Sequence, residues 1–346
     1  MGDGLRRPLR PHGKTWPRSG EIRKPHGSRR APRAGVRVAN PRVHGRGGRA
    51  VETLFLLRAQ GGLNPMDIIN EIGATAFVIS CMRAMEKERE HKLFDDPYAA
   101  LFVNEEIEEK VQELIRVFPP SVELVRYRVC VMSEIVGRGI EAGVKQIVSL
   151  GAGFDMRAHI YQTQGVRFCD VDQPAVLEFK NKVLEAGGVT PCPGIRCNYL
   201  EVDLPEELGK AGFDLEKPIL FIWEGNTMYL PLDLIHDFLG RLRAQVPDMT
   251  IAFDYYSEKI INRTSGDERI TEITDMFESN FGVKWLTGFD DLSVFQEKHG
   301  LEVIESESLM EFGERRAPES VAEIKEFMDA AGELLKLYSY CVLKAP

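Results

Sequence analysis

Past Val144 the chain alternates short apolar runs, rich in β-branched residues, with amphipathic segments of helical period. The runs are KQIVSL, VRFCDVD, RCNYLEVD, PILFIWE, MTIAFDYY, LEVIESESL and YSYCVLKA. Apolar strands that alternate with helices are typical of a mostly parallel sheet that helices cover on both faces. We therefore predict a doubly wound, seven-stranded α/β sheet, which would bind ligands at the carboxyl ends of its strands.

Two regions precede this core. Apolar positions recur at three- and four-residue spacing in segments such as DIINEIGATAFVISCMRAMEK, which predicts helices. Residues 1–49 carry 14 Lys and Arg against two acids and have almost no apolar residues to bury. We predict a disordered basic leader (1–65), a helical cover (66–143) and an α/β core (144–346).

The charge distribution limits the partners of the core. The whole chain has a net charge of -9, and the part beyond residue 49 holds 30 Lys and Arg against 51 Asp and Glu. We therefore expect no nucleic-acid binding except through the basic leader. We expect a cytoplasmic protein, with organelle targeting by the Arg-rich leader as the alternative.

The cysteines and the hydropathy indicate neither a metal site nor a membrane protein. The six cysteines are scattered, without C-x-x-C pairs or a nearby His, so we predict neither a disulfide framework nor a zinc site. No apolar run reaches the roughly 18 residues that a membrane-spanning helix needs. We expect a soluble protein without a metal ion.

The segment QIVSLGAGFDMRAHI places a glycine turn at the end of the first run. Gly151 and Gly153 would let a ligand approach the backbone, and the helix that we predict near Phe154 would turn its N–H groups toward that ligand. A dinucleotide fingerprint would have a third glycine where this chain has Met156. A nucleotide-type ligand and a tight turn without a ligand both remain open.

Acidic residues follow three of the later runs. Asp172 lies 21 residues beyond Gly151, where an acid binds ribose hydroxyls, although it could also cap a helix. Asp203 could accept a hydrogen bond from an adenine amino group or be a solvated turn acid. Glu224 directly follows an apolar run and should therefore have a partner. That partner could be a ligand, a helix terminus or an arginine of the cover.

Several ordered motifs resemble a known family. They are TAFVISCMRA, KLFDDPYAALF, GVKQIVSLGAGFDMRAH, VDQPAVLEFK, WEGNTMYLP and IAFDYYS. Together they resemble the S-adenosylmethionine-dependent methyltransferases of the leucine carboxyl methyltransferase superfamily, in its bacterial-type O-methyltransferase branch. The resemblance runs from about residue 66 to 344. It implies a Rossmann-like class I methyltransferase fold and S-adenosyl-L-methionine as the cofactor.

The resemblance also implies roles for individual residues. Arg83 and Arg128 would hold the cofactor carboxylate, with Arg126 as an alternative to Arg128. Backbone groups of Gly151 and Gly153 would contact the methionine moiety.

The acids receive roles in the same way. Asp172 would bind the ribose, Asp203 would lie near the adenine, and Glu224 would face the amino group of the cofactor. An arginine and a glutamate suit the zwitterionic end of the cofactor, because both form charge-assisted hydrogen bonds.

One motif departs from the family pattern. After Glu224 this chain has Asn226 and Thr227 where apolar residues are usual, so the acceptor pocket could differ. Tyr229 is our candidate for that pocket. The segment 310–335 would be either a lid over the acceptor or an ordinary crossover helix.

These observations predict an O-methyltransferase that acts on a carboxylate of a small molecule or a peptide terminus. A carboxylate is already ionised near neutral pH and needs no general base. For a phenol or an alcohol, the candidate bases are His159, His236, Tyr229 and Tyr255. Two alternatives are a non-catalytic protein that binds S-adenosylmethionine and a nicotinamide-dependent oxidoreductase.

Overall fold

The computed structural model describes residues 73–162, 165–282, 284–322, 324 and 334–346. The predicted basic leader and the first residues of the cover lie outside the described residues. Within these ranges the chain forms one seven-stranded sheet with helices packed around it.

The apolar runs supply the strands of this sheet. The strands are β1 (Gln146–Leu150), β2 (Arg167–Asp172), β3 (Gly194–Arg196), β4 (Ile219–Trp223), β5 (Met249–Tyr256), β6 (Glu302–Ser308) and β7 (Tyr338–Lys344). Their order is β3-β2-β1-β4-β5-β7-β6. Strands β1 to β5 pair in parallel, and β7 lies antiparallel between β5 and β6. The predicted doubly wound, mostly parallel sheet is confirmed.

The third strand is shorter and earlier than predicted. The prediction placed it on RCNYLEVD, whereas β3 ends at Arg196, the first residue of that run. Asn198 turns the chain instead, because its backbone oxygen accepts from the N–H of Glu201 at 3.0 Å and its side chain accepts from Leu200 at 3.2 Å. Asp203 therefore lies at the start of a helix and not at the end of a strand.

Helices cover both the sheet and its strand ends. They are α1 (Ala74–Met85), α2 (Glu105–Val117), α3 (Ser121–Glu141), α4 (Arg157–Ile160), α5 (Pro174–Ala186), α6 (Leu204–Lys210), α7 (Leu232–Gln245), α8 (Glu258–Ile261), α9 (Glu268–Phe281), α10 (Ser293–His299) and α11 (Leu309–Arg316). Short 3-10 helices span Glu86–Glu88, Ala99–Phe102 and Thr227–Tyr229. Helices α1 to α3 form the cover.

Aromatic packing joins the cover to the glycine turn. Phe154 follows the turn, and its ring stacks on Phe102 with centroids 4.3 Å apart and meets Phe77 edge-on at 5.0 Å. All three side chains are buried. Burial of one such ring contributes about 1.5–3 kcal/mol, so the cover fixes the position of the turn.

Two further features bear on possible functions. Within the described ranges, no helix combines the length and the apolar character needed to cross a bilayer. Those ranges also hold no group of three or more His, Cys, Asp or Glu side chains placed to bind a metal ion. The cysteines are free thiols.

Candidate functional site

A cavity of about 520 Å³ lies between the cover and the carboxyl ends of β1, β2 and β4. This volume is typical of small-molecule sites, which span roughly 300–1,000 Å³. The order of the strands reverses between β1 and β4, which is where doubly wound sheets bind their ligands. The charged end of the cavity comprises Arg83, Arg128, Asp155, Arg157, Asp172 and Glu224, and the aromatic end comprises Tyr229, Tyr256, Phe277, Trp285 and Tyr338.

The glycine turn forms part of the charged end. Gly151 and Gly153 have φ angles of 58° and 48°, which glycine adopts without the steric cost of a Cβ atom. A Cβ atom at Gly151 would also collide with the side-chain oxygen of Asn226. The helix predicted near Phe154 begins later, at Arg157, and has four residues. The turn is therefore longer than the sequence indicated.

Asp172 joins the end of β2 to the glycine turn. Its carboxylate accepts hydrogen bonds from the backbone N–H of Gly153 at 2.6 Å and of Gln173 at 2.7 Å. Burial raises the pKa of Asp172, and these two hydrogen bonds oppose that shift. The side chain lies on the cavity wall, where the resemblance requires a ribose ligand.

Glu224 is held by two arginines. Its Oε1 accepts from Nε of Arg128 at 3.0 Å, and its Oε2 accepts from Nη2 of Arg157 at 2.6 Å. Burial alone would raise the pKa of Glu224, but the charges of Arg157 and Arg128 outweigh it and hold that pKa below its ordinary value. The carboxylate thus has the partners that its position after a buried strand demands.

Arg128 connects the two ends of the cavity. Its Nη1 donates to the hydroxyl of Tyr338 at 2.9 Å. Gly225 also lies on the wall, and a Cβ atom there would come into van der Waals contact with this nitrogen, at 3.4 Å. The alternative, Arg126, is not part of the wall and binds Glu86 at 2.6 Å.

Arg83 lines the cavity from helix α1. Its Nη1 donates to the backbone oxygen of Phe154 at 2.9 Å, and its Nε donates to Asp96 at 2.8 Å. Asp96 also accepts from the backbone N–H of Tyr98 and of Ala99, at the start of the 3-10 helix Ala99–Phe102. Arg83 therefore ties the cover to the chain just beyond the glycine turn.

Sequence reasoning missed Arg157. Its Nε lies 2.9 and 3.0 Å from the two carboxylate oxygens of Asp155, while Nη2 binds Glu224. Its Nη1 is buried without a partner among the described residues. The only signal in the sequence was an acid and an arginine directly after the glycine turn.

Asn226 also gains a defined role. Its side-chain nitrogen donates to the backbone oxygen of Glu224 at 2.9 Å and lies 3.4 Å from that of Gly151. The Tyr199 hydroxyl donates to its side-chain oxygen at 3.4 Å. Asn226 therefore ties the end of β4 to the glycine turn.

Asp203 does not take part in the cavity wall. Its carboxylate accepts from the backbone N–H of Glu206 at 3.2 Å and so caps α6, and it also accepts from Gln245. The reason is the early end of β3, which leaves Asp203 seven positions beyond that strand.

Of the candidate bases, only Tyr229 lies on the wall. His159 bonds the backbone oxygen of Thr190, His236 pairs with His299, and Tyr255 bonds Ser306. The described part of segment 310–335 contributes nothing to the wall, and residues 325–333 lie outside the described residues.

The charged end fits the zwitterionic, cationic cofactor that the sequence implies. The charged end carries three arginines and three carboxylates, and Asp95, Asp96 and Glu134 bring the described wall to six carboxylates, so negative charge is in excess on the wall as a whole. An ammonium and a sulfonium are favoured beside such carboxylates. The unpartnered Nη1 of Arg157 also leaves a buried donor that a ligand or water must satisfy.

Comparison with known proteins agrees with this geometry. The leucine carboxyl methyltransferase family model matches residues 76–242. A Mycobacterium marinum protein named "Putative S-adenosyl-L-methionine-dependent methyltransferase" is 28% identical, with 65% of this chain and 83% of that protein aligned. A Saccharopolyspora erythraea protein of the same name is 32% identical, with 51% of this chain and 66% of that protein aligned.

A solved structure supports the fold alone. The crystal structure of a "putative methyltransferase" from Thermobifida fusca superposes with a TM-score of 0.53 at 15% identity, covering 78% of this chain and 94% of that one. Family model, relatives and cavity lead to one assignment. The chain is an S-adenosylmethionine-dependent methyltransferase of the leucine carboxyl methyltransferase superfamily, and S-adenosyl-L-methionine is its cofactor.

Proposed function

We propose that this enzyme methylates a carboxylate oxygen of a small molecule or a peptide terminus. The observation that carries the proposal is the lack of a suitable base at the aromatic end. The described residues of the wall include no histidine, and burial raises the pKa of Tyr229 and of Tyr256. A carboxylate acceptor arrives ionised at neutral pH and needs no proton removed.

The carboxylates of the charged end are already engaged as hydrogen-bond acceptors. Asp155 accepts from Arg157, Asp172 from two backbone N–H groups, and Glu224 from two arginines. Glu134, which lies elsewhere on the wall, binds Arg316 at 2.5 Å. These contacts favour roles in binding over roles in proton transfer.

The residues of the site would act mainly by binding and alignment. When bound, S-adenosylmethionine supplies an electrophilic methyl group on a sulfonium. Glu224 would hold its amino group, Arg83 and Arg128 its carboxylate, and Asp172 its ribose. The cover excludes water, and close alignment of the acceptor oxygen with the methyl group lowers the barrier.

The aromatic end favours an acceptor with a flat, apolar body. The ring of Tyr256 lies 4.3 Å from that of Trp285 and 4.3 Å from that of Tyr338, measured between centroids. Phe277 continues this wall, 5.6 Å from Trp285. Planar apolar groups pack well against such a surface. Tyr229 stands beside it and remains our pocket candidate.

The test is methyl transfer from radiolabelled S-adenosylmethionine to matched pairs of planar carboxylic acids and phenols. Methyl esters release methanol in mild alkali, whereas methyl ethers do not. We expect alkali-labile product from the acids. Alkali-stable product from the phenols alone would contradict the proposal, and cofactor binding without turnover on either panel would favour the non-catalytic alternative. The nicotinamide alternative predicts NADH binding, which a calorimetric titration with NADH would reveal.

The basic leader is the one region that we propose could contact nucleic acid or carry an organelle address. A variant that lacks residues 1–65 should keep its methyl transfer activity, because every described residue of the cavity wall lies beyond that region. Loss of activity on deletion would contradict this division of roles.

A further inference from the structure

Arg157 lies at the centre of a buried charge network. One guanidinium nitrogen binds Asp155 and another binds Glu224, and Asp155 also accepts from the Ser149 hydroxyl at 2.8 Å. The side chains of Arg157 and Asp155 are each 9% exposed. The network therefore connects the end of β1, the glycine turn and the end of β4.

We propose that Arg157 is a positioning residue that holds Glu224 ionised and oriented toward the amino group of the cofactor. This inference rests on the role that the family resemblance implies for Glu224. Arg128 is implied to bind the cofactor carboxylate, and it also donates to Tyr338. When Arg128 binds the cofactor carboxylate, Arg157 is the arginine that still binds Glu224.

The geometry requires an arginine at this position. The planar guanidinium presents several N–H donors in a fixed fork, so it binds two carboxylates in different directions at once. A lysine has one ammonium on a flexible stem and cannot reproduce this bridge. Arg157→Lys therefore keeps the charge and removes the orientation.

Several charges act on Glu224 and set the direction of the pH effect. Arg157, Arg128 and Arg83 favour its ionised form, whereas Asp155 and Asp254 disfavour it. Weaker pairing with Arg157 would raise the pKa of Glu224. An ammonium binds the ionised carboxylate, so affinity for the cofactor falls when acid protonates Glu224. With a raised pKa this fall, which is the acid limb of the affinity profile, would begin at a higher pH.

The experiment is calorimetric titration with S-adenosylhomocysteine between neutral and acidic pH. We expect Arg157→Lys to weaken binding about tenfold at neutral pH and to move the acid limb of the affinity profile to higher pH. The matched control is Arg126→Lys, since Arg126 is equally buried between two carboxylates but lies off the wall. This control should change neither quantity. Glu224→Gln should abolish the acid limb, because glutamine does not titrate. That result would assign the pH dependence of binding to Glu224.

A further variant keeps the test valid if Arg157→Lys fails to fold. The double change Asp155→Asn and Arg157→Gln removes both charges together and should move the limb in the same direction, because Arg157 acts on Glu224 more strongly than Asp155 does. A folded variant of either kind with the wild-type affinity and acid limb would overturn the inference while leaving the cofactor site intact. Failure of the wild-type protein to bind S-adenosylhomocysteine would instead contradict the cofactor site, and product from phenols alone would contradict only the carboxylate acceptor.

Discussion

The two ends of the cavity are built on different principles. At the charged end each group has directional partners: Glu224 has one arginine on each oxygen, and Asp172 has one backbone N–H on each oxygen. At the aromatic end the rings of Tyr256, Trp285 and Tyr338 pack face against face, and the hydroxyl of Tyr338 supplies the directional contacts, with Arg128 and Asp254. We therefore expect the charged end to specify one ligand, and we propose that the aromatic end tolerates acceptors that differ in detail.

The largest effect should follow loss of charge at Glu224. Glu224→Gln keeps the shape but replaces a charge-assisted hydrogen bond, which contributes about 1.5–3 kcal/mol, so S-adenosylhomocysteine should bind about tenfold to a hundredfold more weakly. Calorimetric titration measures the change. The control is Glu134→Gln, a wall carboxylate without an implied cofactor role. Equal affinity in wild type and Glu224→Gln would remove the distinction between the two ends.

A substitution at Gly151 should act through both its backbone and Asn226. Gly151→Ala places a Cβ atom in a left-handed conformation, which costs roughly 1–2 kcal/mol, and that atom also meets Asn226. In a double-mutant cycle with Asn226→Ala, the two changes should be non-additive by about 1 kcal/mol in the free energy of unfolding. Denaturant unfolding measures both. Additive effects would show that Asn226 adjusts freely.

Changes at the aromatic end should affect the acceptor and spare the cofactor. Trp285→Leu removes ring stacking worth about 0.5–1.5 kcal/mol, so the KM of the best acceptor acid should rise about twofold to tenfold. The affinity for S-adenosylhomocysteine should stay within about twofold of wild type. The neighbouring exposed Leu286→Ala serves as the control. A large loss of cofactor affinity in Trp285→Leu would mean that the two ends are coupled.

The smallest functional effect should be that of Asp203→Ala. This change removes a helix cap and should cost about 1 kcal/mol in the free energy of unfolding. Affinity for S-adenosylhomocysteine should not change, because Asp203 is not part of the wall. Asn104→Ala, which removes the cap of α2, provides a comparison of stability alone. Weaker cofactor binding in Asp203→Ala only would support the adenine contact implied by the resemblance.

The sequence by itself determined the sheet and the strand ends that form the cavity. Apolar runs and their turn residues act locally, so β1, β2, β4 and the glycine turn lie where their patterns predicted. Asp172 ends one such run and Glu224 directly follows another, and the fold brings both onto the wall of the cavity. The third strand was misplaced because the short turn at Asn198 interrupts a run that reads as a strand.

The tertiary structure decided which side chains of the helices and loops reach the cavity. Arg126 and Arg128 are two residues apart on α3, about 200° around the helix axis, so only packing selects the one that faces Glu224. The roles of Arg157 and Asn226 depend on contacts between β1, β4 and the glycine turn that are distant in sequence. Local patterns fix strands and turns, whereas long-range packing determines the partners of each buried charge.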